Sequence, residues 1–90
     1  MNTSINNFIF ETAVISPIND IIVKLKQKEF RDCDIAWLNG KLKSFTDLAL
    51  QTLGKEIEVG DAVGGVMNDH NRNRFIGHFT TLLDYFKSFN

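Results

Sequence analysis

The sequence predicts an all-α fold, a small four-helix bundle with a short N-terminal element, on three observations. Apolar residues recur at steps of three and four from Ile35 to Leu53, which places them on one face of a helix. The same spacing returns between Phe75 and Phe86. Of the 90 residues, 43% are hydrophobic, enough for one small core without a disulfide or a metal. We therefore expect residues 1–90 to form a single helical domain.

The first sixteen residues fit two interpretations. Apolar residues spaced by three and four over residues 5–13 suit a short helix. The run over residues 8–15 is also rich in aromatic and β-branched side chains, which is typical of a strand. We favour the short helix and keep a strand over residues 5–15 as the alternative.

The first full helix is predicted over residues 17–30. Ser16 can cap the free N–H groups of a helix, and Pro17 suits the first helical position because it needs no hydrogen bond there. The expected inward face consists of Ile18, Ile21, Ile22 and Leu25. We expect a turn at residues 31–34 to follow.

The second helix is predicted over residues 34–53, capped by Asp32 or Asp34 and ended by Gly54. Against it stands Asn39–Gly40, the strongest two-residue hairpin signal, which predicts an α+β alternative with a hairpin near 35–45. We favour the helix because it accounts for more residues and one interior glycine costs only about 1 kcal/mol.

Two further helices are predicted over residues 59–68 and 73–88. The apolar spacing from Val59 to Met67 is helical, although three glycines weaken that helix. A hairpin near 62–79 is the alternative, because two short β-rich runs flank a polar turn. The last helix is expected to begin at a cap provided by Asn71 or Asn73.

Charge is nearly balanced, with a formal net charge of −1, but it is segregated along the chain. Residues 24–43 carry six basic side chains against three acidic ones, whereas residues 44–71 carry five acidic side chains and one lysine. Such a chain can pair with a charged partner or with a second copy, and we expect a homo-oligomer. It lacks the global basic excess typical of nucleic-acid binders.

Nothing in the sequence indicates catalysis, so we predict a protein that is not an enzyme and uses no metal or cofactor. Cys33 is the one cysteine, and as a nucleophile it would need a base from elsewhere in the chain. His70 and His78 are two helical turns apart, too far to share one ion on a straight helix. Gly64–Gly65 lacks the lysine of a phosphate-binding loop.

The function predicted is non-catalytic binding to another protein, as an inhibitor, immunity-type or regulatory factor. The last helix carries a second stripe beside its apolar face, formed by Arg74, His78 and Tyr85. Arg72 comes just before this stripe. Arginine and tyrosine are frequent interface anchors, and an exposed Trp37 would add to a partner surface.

The alternative function is a nucleic-acid or nucleotide-binding module that uses basic residues of helices 17–53 and of residues 72–78. Its basic patch would comprise Lys24, Lys28, Lys41 and Lys43, brought together by antiparallel helices. On the outer face we expect no aromatic residue among these lysines, as a single-strand binder would require. Lysines on an outer face are more often simply solvated, so this function ranks second.

We expect a cytoplasmic protein, in the host cytoplasm if the gene is viral, with no membrane partner. The N-terminal residues lack the order of a signal peptide, and every uncharged apolar run is too short to span a bilayer.

Overall fold

The computed structural model describes residues 10–54 and 56–88, and this part of the chain folds into three α-helices without a strand. They are α1 (Ser16–Lys26), α2 (Ile35–Leu53) and α3 (Asp69–Lys87). The all-α prediction is confirmed. The helix predicted over residues 59–68 is not present, so the described residues do not form a four-helix bundle.

The chain enters α1 through a π-helical turn, Glu11–Ile15, in which the Ser16 N–H donates to the Glu11 carbonyl five residues back. Proline has no N–H and its ring crowds the carbonyl four residues back, so Pro17 favours this local widening of the helix. The helical interpretation is confirmed for residues 10–15, and residues 5–9 lie outside the described part. The predicted start of the α-helix at Ser16–Pro17 is confirmed, but Ser16 does not cap it, because the preceding π-helical residues are already helical.

The end of α1 comes at Lys26, four residues earlier than predicted. Lys28 adopts the left-handed conformation, with φ of +59°. Its N–H donates to the Leu25 carbonyl (3.1 Å), and the Glu29 N–H donates to the Lys24 carbonyl (3.0 Å). This pair of bonds is a Schellman motif, which satisfies the last carbonyls and turns the chain away from the helix.

A 3₁₀ turn, Asp32–Asp34, leads into α2, and the Asp34 carboxylate accepts a hydrogen bond from the Arg31 N–H at 2.7 Å. α2 runs unbroken through Gly40, so the hairpin near 35–45 is excluded. It ends as predicted at Gly54, whose φ of +66° lets its N–H reach the Leu50 carbonyl.

Residues 56–68 contain neither the predicted helix over 59–68 nor a hairpin near 62–79. Gly60 and Gly65 have φ of +112° and +87°, outside the helical range. The segment, which we call the crossing segment (residues 56–68), buries Val63 in the core. Its backbone groups are held by side chains of other elements rather than by a helical ladder.

α3 begins at Asp69, four residues before the predicted start. The cap is Asn68, whose side-chain oxygen accepts from the Asn71 N–H at 2.8 Å, and not Asn71 or Asn73. The Asn71 side chain is buried and has another task, described below.

α3 is the centre of the fold because it packs against both α1 and α2, which have few direct backbone contacts with each other. The predicted inward faces are confirmed: Ile18, Leu25, Leu38, Phe75, Phe79, Leu82 and Phe86 are all fully buried. A groove lies between α1 and α2. Within residues 10–54 and 56–88, no helix is long and apolar enough to cross a membrane.

Candidate functional site

The groove between α1 and α2 has a volume of about 210 Å³ and is open to solvent. Both helices present residues at helical steps to it. The α1 face contributes Pro17, Asp20, Ile21 and Lys24. The α2 face contributes Trp37, Lys41 and Phe45, and the connection between the helices contributes Phe30. We call these eight residues the α1/α2 groove.

Trp37 is the most prominent side chain of this groove, because 48% of its surface is exposed. The Phe30 ring lies beside it, with 6.0 Å between ring centroids and 31° between ring planes. The Lys41 Nζ lies 5.3 Å from the Trp37 ring centroid. A cation over an exposed indole is worth about 0.5–1 kcal/mol, so Lys41 and Phe30 hold the ring in place without covering it.

The local backbone explains why Phe30 reaches Trp37. The Schellman motif at Lys28 reverses the chain direction, so that Phe30 follows the end of α1 at once and lies next to the first turns of α2. Sequence analysis missed Phe30 as a site residue, since no periodic pattern links it to Trp37. Its position in the turn that follows α1, four residues after Lys26, was the one available signal.

Two of the four lysines in the predicted basic patch come together. Lys24 and Lys41 line the groove from opposite helices. Of the other two, Lys28 forms the left-handed turn, and Lys43 pairs with Asp47 one helical turn away at 3.6 Å. The expectation that no aromatic residue lies among the lysines is wrong, because Trp37 lines the same groove and the Lys41 Nζ lies over its ring.

The predicted stripe on α3 supports the crossing segment. Arg74 donates from Nη2 to the Asp61 carbonyl at 3.4 Å. His78 lies directly beneath Gly60, where an added Cβ would come within 2.6 Å of the imidazole Cε1. These two side chains therefore contact the protein's own backbone over part of their surface.

The other two predicted residues of α3 also have internal contacts. Arg72 forms an ion pair with Asp69 on the first turn of the helix. The Tyr85 ring packs edge-on against Phe86, with 6.1 Å between centroids. Trp37 is separate from all four, since it lies on α2 in the groove.

Burial holds the pKa of His78 below its ordinary value of 6.5, and the neighbouring Arg74 guanidinium lowers it further. A backbone group of Asp61 and the Asp61 carboxylate partly oppose that shift. The position of His78 beneath Gly60 therefore favours the neutral imidazole relative to the charged form.

Three side chains that the sequence did not single out as site residues bind the backbone of the crossing segment. Asn39 pairs with both backbone groups of Val63. Asn71 donates from Nδ2 to the carbonyls of Gly64 (3.2 Å) and Val66 (2.7 Å). The Asp32 carboxylate accepts from the Met67 N–H at 2.7 Å. Together they replace the hydrogen bonds that a helix would have supplied.

The part of the chain that the structure describes contains no group of three or more histidine, cysteine or acidic residues that could hold a metal ion. Cys33 is exposed in a shallow depression lined by Phe30, Arg31, Asp32 and Met67. Neither histidine is among those lining residues.

No protein-family model, curated protein or solved structure matches this chain. The fold and the groove define a small all-α protein with an exposed aromatic side chain in an open groove.

Proposed function

We propose that this chain is a non-catalytic protein that acts by binding another protein, as an inhibitor, immunity-type or regulatory factor. The α1/α2 groove is the contact surface and Trp37 its anchor. The single observation that carries the proposal is the half-exposed Trp37 ring, held between Phe30 and Lys41 beside an open groove.

Burying this ring against a partner protein would contribute favourably to the free energy of binding. About half of a tryptophan's surface, roughly 100 Å², would contribute about 2–3 kcal/mol on burial. The ring is already held by its neighbours, so little further side-chain entropy is lost on binding. Tryptophan in such a setting is the most frequent kind of interface hot spot.

The predicted α3 stripe takes a lesser part in this proposal. Arg74 and His78 contact the crossing segment, and Arg72 is paired with Asp69. Tyr85 remains half-buried beside Phe86. We place these residues at the rim of a partner contact at most, with the energetic centre at Trp37.

Nucleotide or single-stranded nucleic-acid binding is the second candidate, and one observation favours it. Trp37 and Phe30 line the same groove as Lys24 and Lys41, so a base could stack on the indole while an ammonium meets a phosphate. Salt separates the two functions, because phosphate contacts weaken steeply with ionic strength and an apolar anchor does not.

The test is affinity capture from cell lysate with wild type, Trp37→Ala and Leu50→Ala. Leu50 is the matched control, because it is a 51% exposed apolar residue on the same helix and lies outside the groove. Retained proteins are identified by mass spectrometry, then purified and titrated.

We expect Trp37→Ala to weaken binding of the purified partner by about 10- to 100-fold and Leu50→Ala by less than about threefold. Equal binding by all three proteins would overturn the proposal. Retention of nucleic acid that is lost in high salt would support the second candidate instead.

A further inference from the structure

We infer that the α1/α2 groove binds an acidic, apolar segment of the partner protein. One large apolar side chain lies against Trp37, and carboxylates beside it bind Lys24 and Lys41. This inference rests on the proposed function and names the chemistry of its partner.

The size and floor of the groove select the apolar side chain. Pro17, Ile21 and Phe45 lie along its floor and walls, with Trp37 and Phe30 at one side. A volume of about 210 Å³ is smaller than the roughly 300–1,000 Å³ of sites for drug-sized ligands. It suits one inserted side chain of a longer segment.

The charge beside the groove selects the flanking residues. Lys24 and Lys41 enter from opposite helices, and in residues 10–54 and 56–88 neither has a carboxylate within 4.0 Å. An ammonium group without an anion forms its strongest hydrogen bonds with an incoming carboxylate. Asp20 is the one acidic residue of the groove, so the local balance stays positive.

A protein segment fits this arrangement better than nucleic acid does. A nucleic-acid surface neutralises phosphates along an extended track of cations. Here two lysines, Lys24 and Lys41, line the groove, and Lys43 is paired with Asp47 outside it.

The experiment uses the fluorescence of Trp37, which is the only tryptophan of the chain and therefore reports on the groove alone. The probes are synthetic peptides with a central leucine flanked by glutamates, with the same leucine flanked by lysines, and with a central serine flanked by glutamates. An oligothymidylate single strand is the fourth probe.

The full chain is titrated as wild type, as Lys24→Glu/Lys41→Glu, and as the milder Lys24→Gln/Lys41→Gln. The control is Lys26→Glu/Lys87→Glu, which changes the net charge equally at two exposed lysines outside the groove. Circular dichroism verifies that each variant is folded. We expect the acidic leucine peptide to bind wild type and control alike, and the charge reversal to weaken it at least about tenfold. The affinity of the glutamine variant for this peptide should lie between those of wild type and the charge reversal. The lysine and serine peptides should bind wild type at least about tenfold more weakly than the acidic leucine peptide.

Four titration results would overturn the inference. The lysine peptide could bind as tightly as the acidic leucine peptide, or oligothymidylate could bind more tightly than it. The charge reversal could leave the affinity unchanged, or no peptide could change the fluorescence at millimolar concentration. A dimer of the protein alone that the charge reversal dissociates would show a second copy in the groove, and would overturn it as well.

The captured partner distinguishes this inference from the proposed function. If Trp37→Ala loses the partner and Lys24→Glu/Lys41→Glu keeps it, the proposed function stands and the acidic segment is excluded. If neither variant alters capture, both fail.

Discussion

The side-chain amide of Asn39 pairs with both backbone groups of Val63. Its Nδ2 donates to the Val63 carbonyl at 2.7 Å, and the Val63 N–H donates to its Oδ1 at 3.0 Å. This geometry reproduces one residue pair of an antiparallel sheet with a side chain in place of a strand. It fixes the crossing segment against α2 and places Val63, only 2% exposed, in the core.

Replacing Asn39 by aspartate should destabilise the fold by about 2–3 kcal/mol. The carboxylate cannot donate to the Val63 carbonyl, and its oxygen would repel the carbonyl oxygen in a part-buried site. Urea unfolding followed by circular dichroism measures the change. Asn19→Asp, an identical substitution at an exposed position of α1, should change stability by less than about 0.5 kcal/mol. Equal effects of the two substitutions would contradict the role assigned to the amide.

Gly60→Ala should cost about 1–3 kcal/mol. Its φ of +112° is accessible to glycine alone, and the new methyl group would lie 2.6 Å from the His78 imidazole. Gly64→Ala is the control, because the space around it is open, and it should be neutral within about 0.5 kcal/mol. In thermal unfolding, Gly60→Ala in a His78→Ala background should recover the steric part of the loss and retain the backbone part. A neutral Gly60→Ala would mean that the crossing segment is not held there.

Stability should fall as pH falls through the titration range of His78. The folded state lowers this pKa below 6.5, so the unfolded state binds the proton more tightly. The stabilisation is therefore complete above pH 6.5, is lost as pH falls towards the lowered pKa, and changes no further below it. Unfolding free energies measured from about pH 5 to 8 should show this slope.

His78→Asn should remove that part of the pH dependence, whereas His70→Asn, at an exposed position of the first turn of α3, should leave it intact. An NMR titration of the His78 imidazole gives an independent measure. A pKa above 6.5 in the folded protein would contradict the packing beneath Gly60.

Lys28→Gly should stabilise the protein by about 0.5–1 kcal/mol. Lys28 occupies the left-handed position of the Schellman motif, where a Cβ is unfavourable and glycine is usual. Lys26→Gly removes the same side chain within α1 and should destabilise by up to about 1 kcal/mol. Chemical denaturation that ranks the two variants in the opposite order would exclude the motif.

Trp37→Ala should lower stability by no more than about 1–1.5 kcal/mol, because the ring is half exposed and contacts mainly Phe30 and Lys41. Leu38→Ala, at the adjacent and fully buried position, should cost about 2–5 kcal/mol. The midpoint of urea unfolding gives both values. A loss at Trp37 as large as that at Leu38 would assign the indole to the core rather than to a binding surface.

The stripe from Ile35 to Leu53 shows how much of the fold sequence analysis could predict. Helical spacing predicted the whole of α2, including its passage through Gly40 and its end at Gly54, because a buried face leaves a regular trace. The same pattern over Val59 to Met67 predicted a helix that does not exist. There Gly60 and Gly65 adopt non-helical φ angles, and side chains from other elements satisfy the backbone N–H and C=O groups instead.

The candidate site was predicted in separate pieces. Sequence analysis named Trp37, Lys24 and Lys41, but in two different hypotheses, and it missed Phe30 altogether. Their common groove lies between α1 and α2, which both pack on α3. No local pattern encodes how two helices are placed on a third.

By itself the sequence determined that the chain coils into helices, which residues those helices bury, and where α2 ends, because these features follow from the period of one element. Only the tertiary structure decided that Asn39 binds Val63, that Asn71 and Asp32 hold the rest of the crossing segment, and that Trp37 shares a groove with two lysines. Hydrogen bonds and grooves of this kind join residues far apart in the chain, and their partners are selected only when the elements pack together.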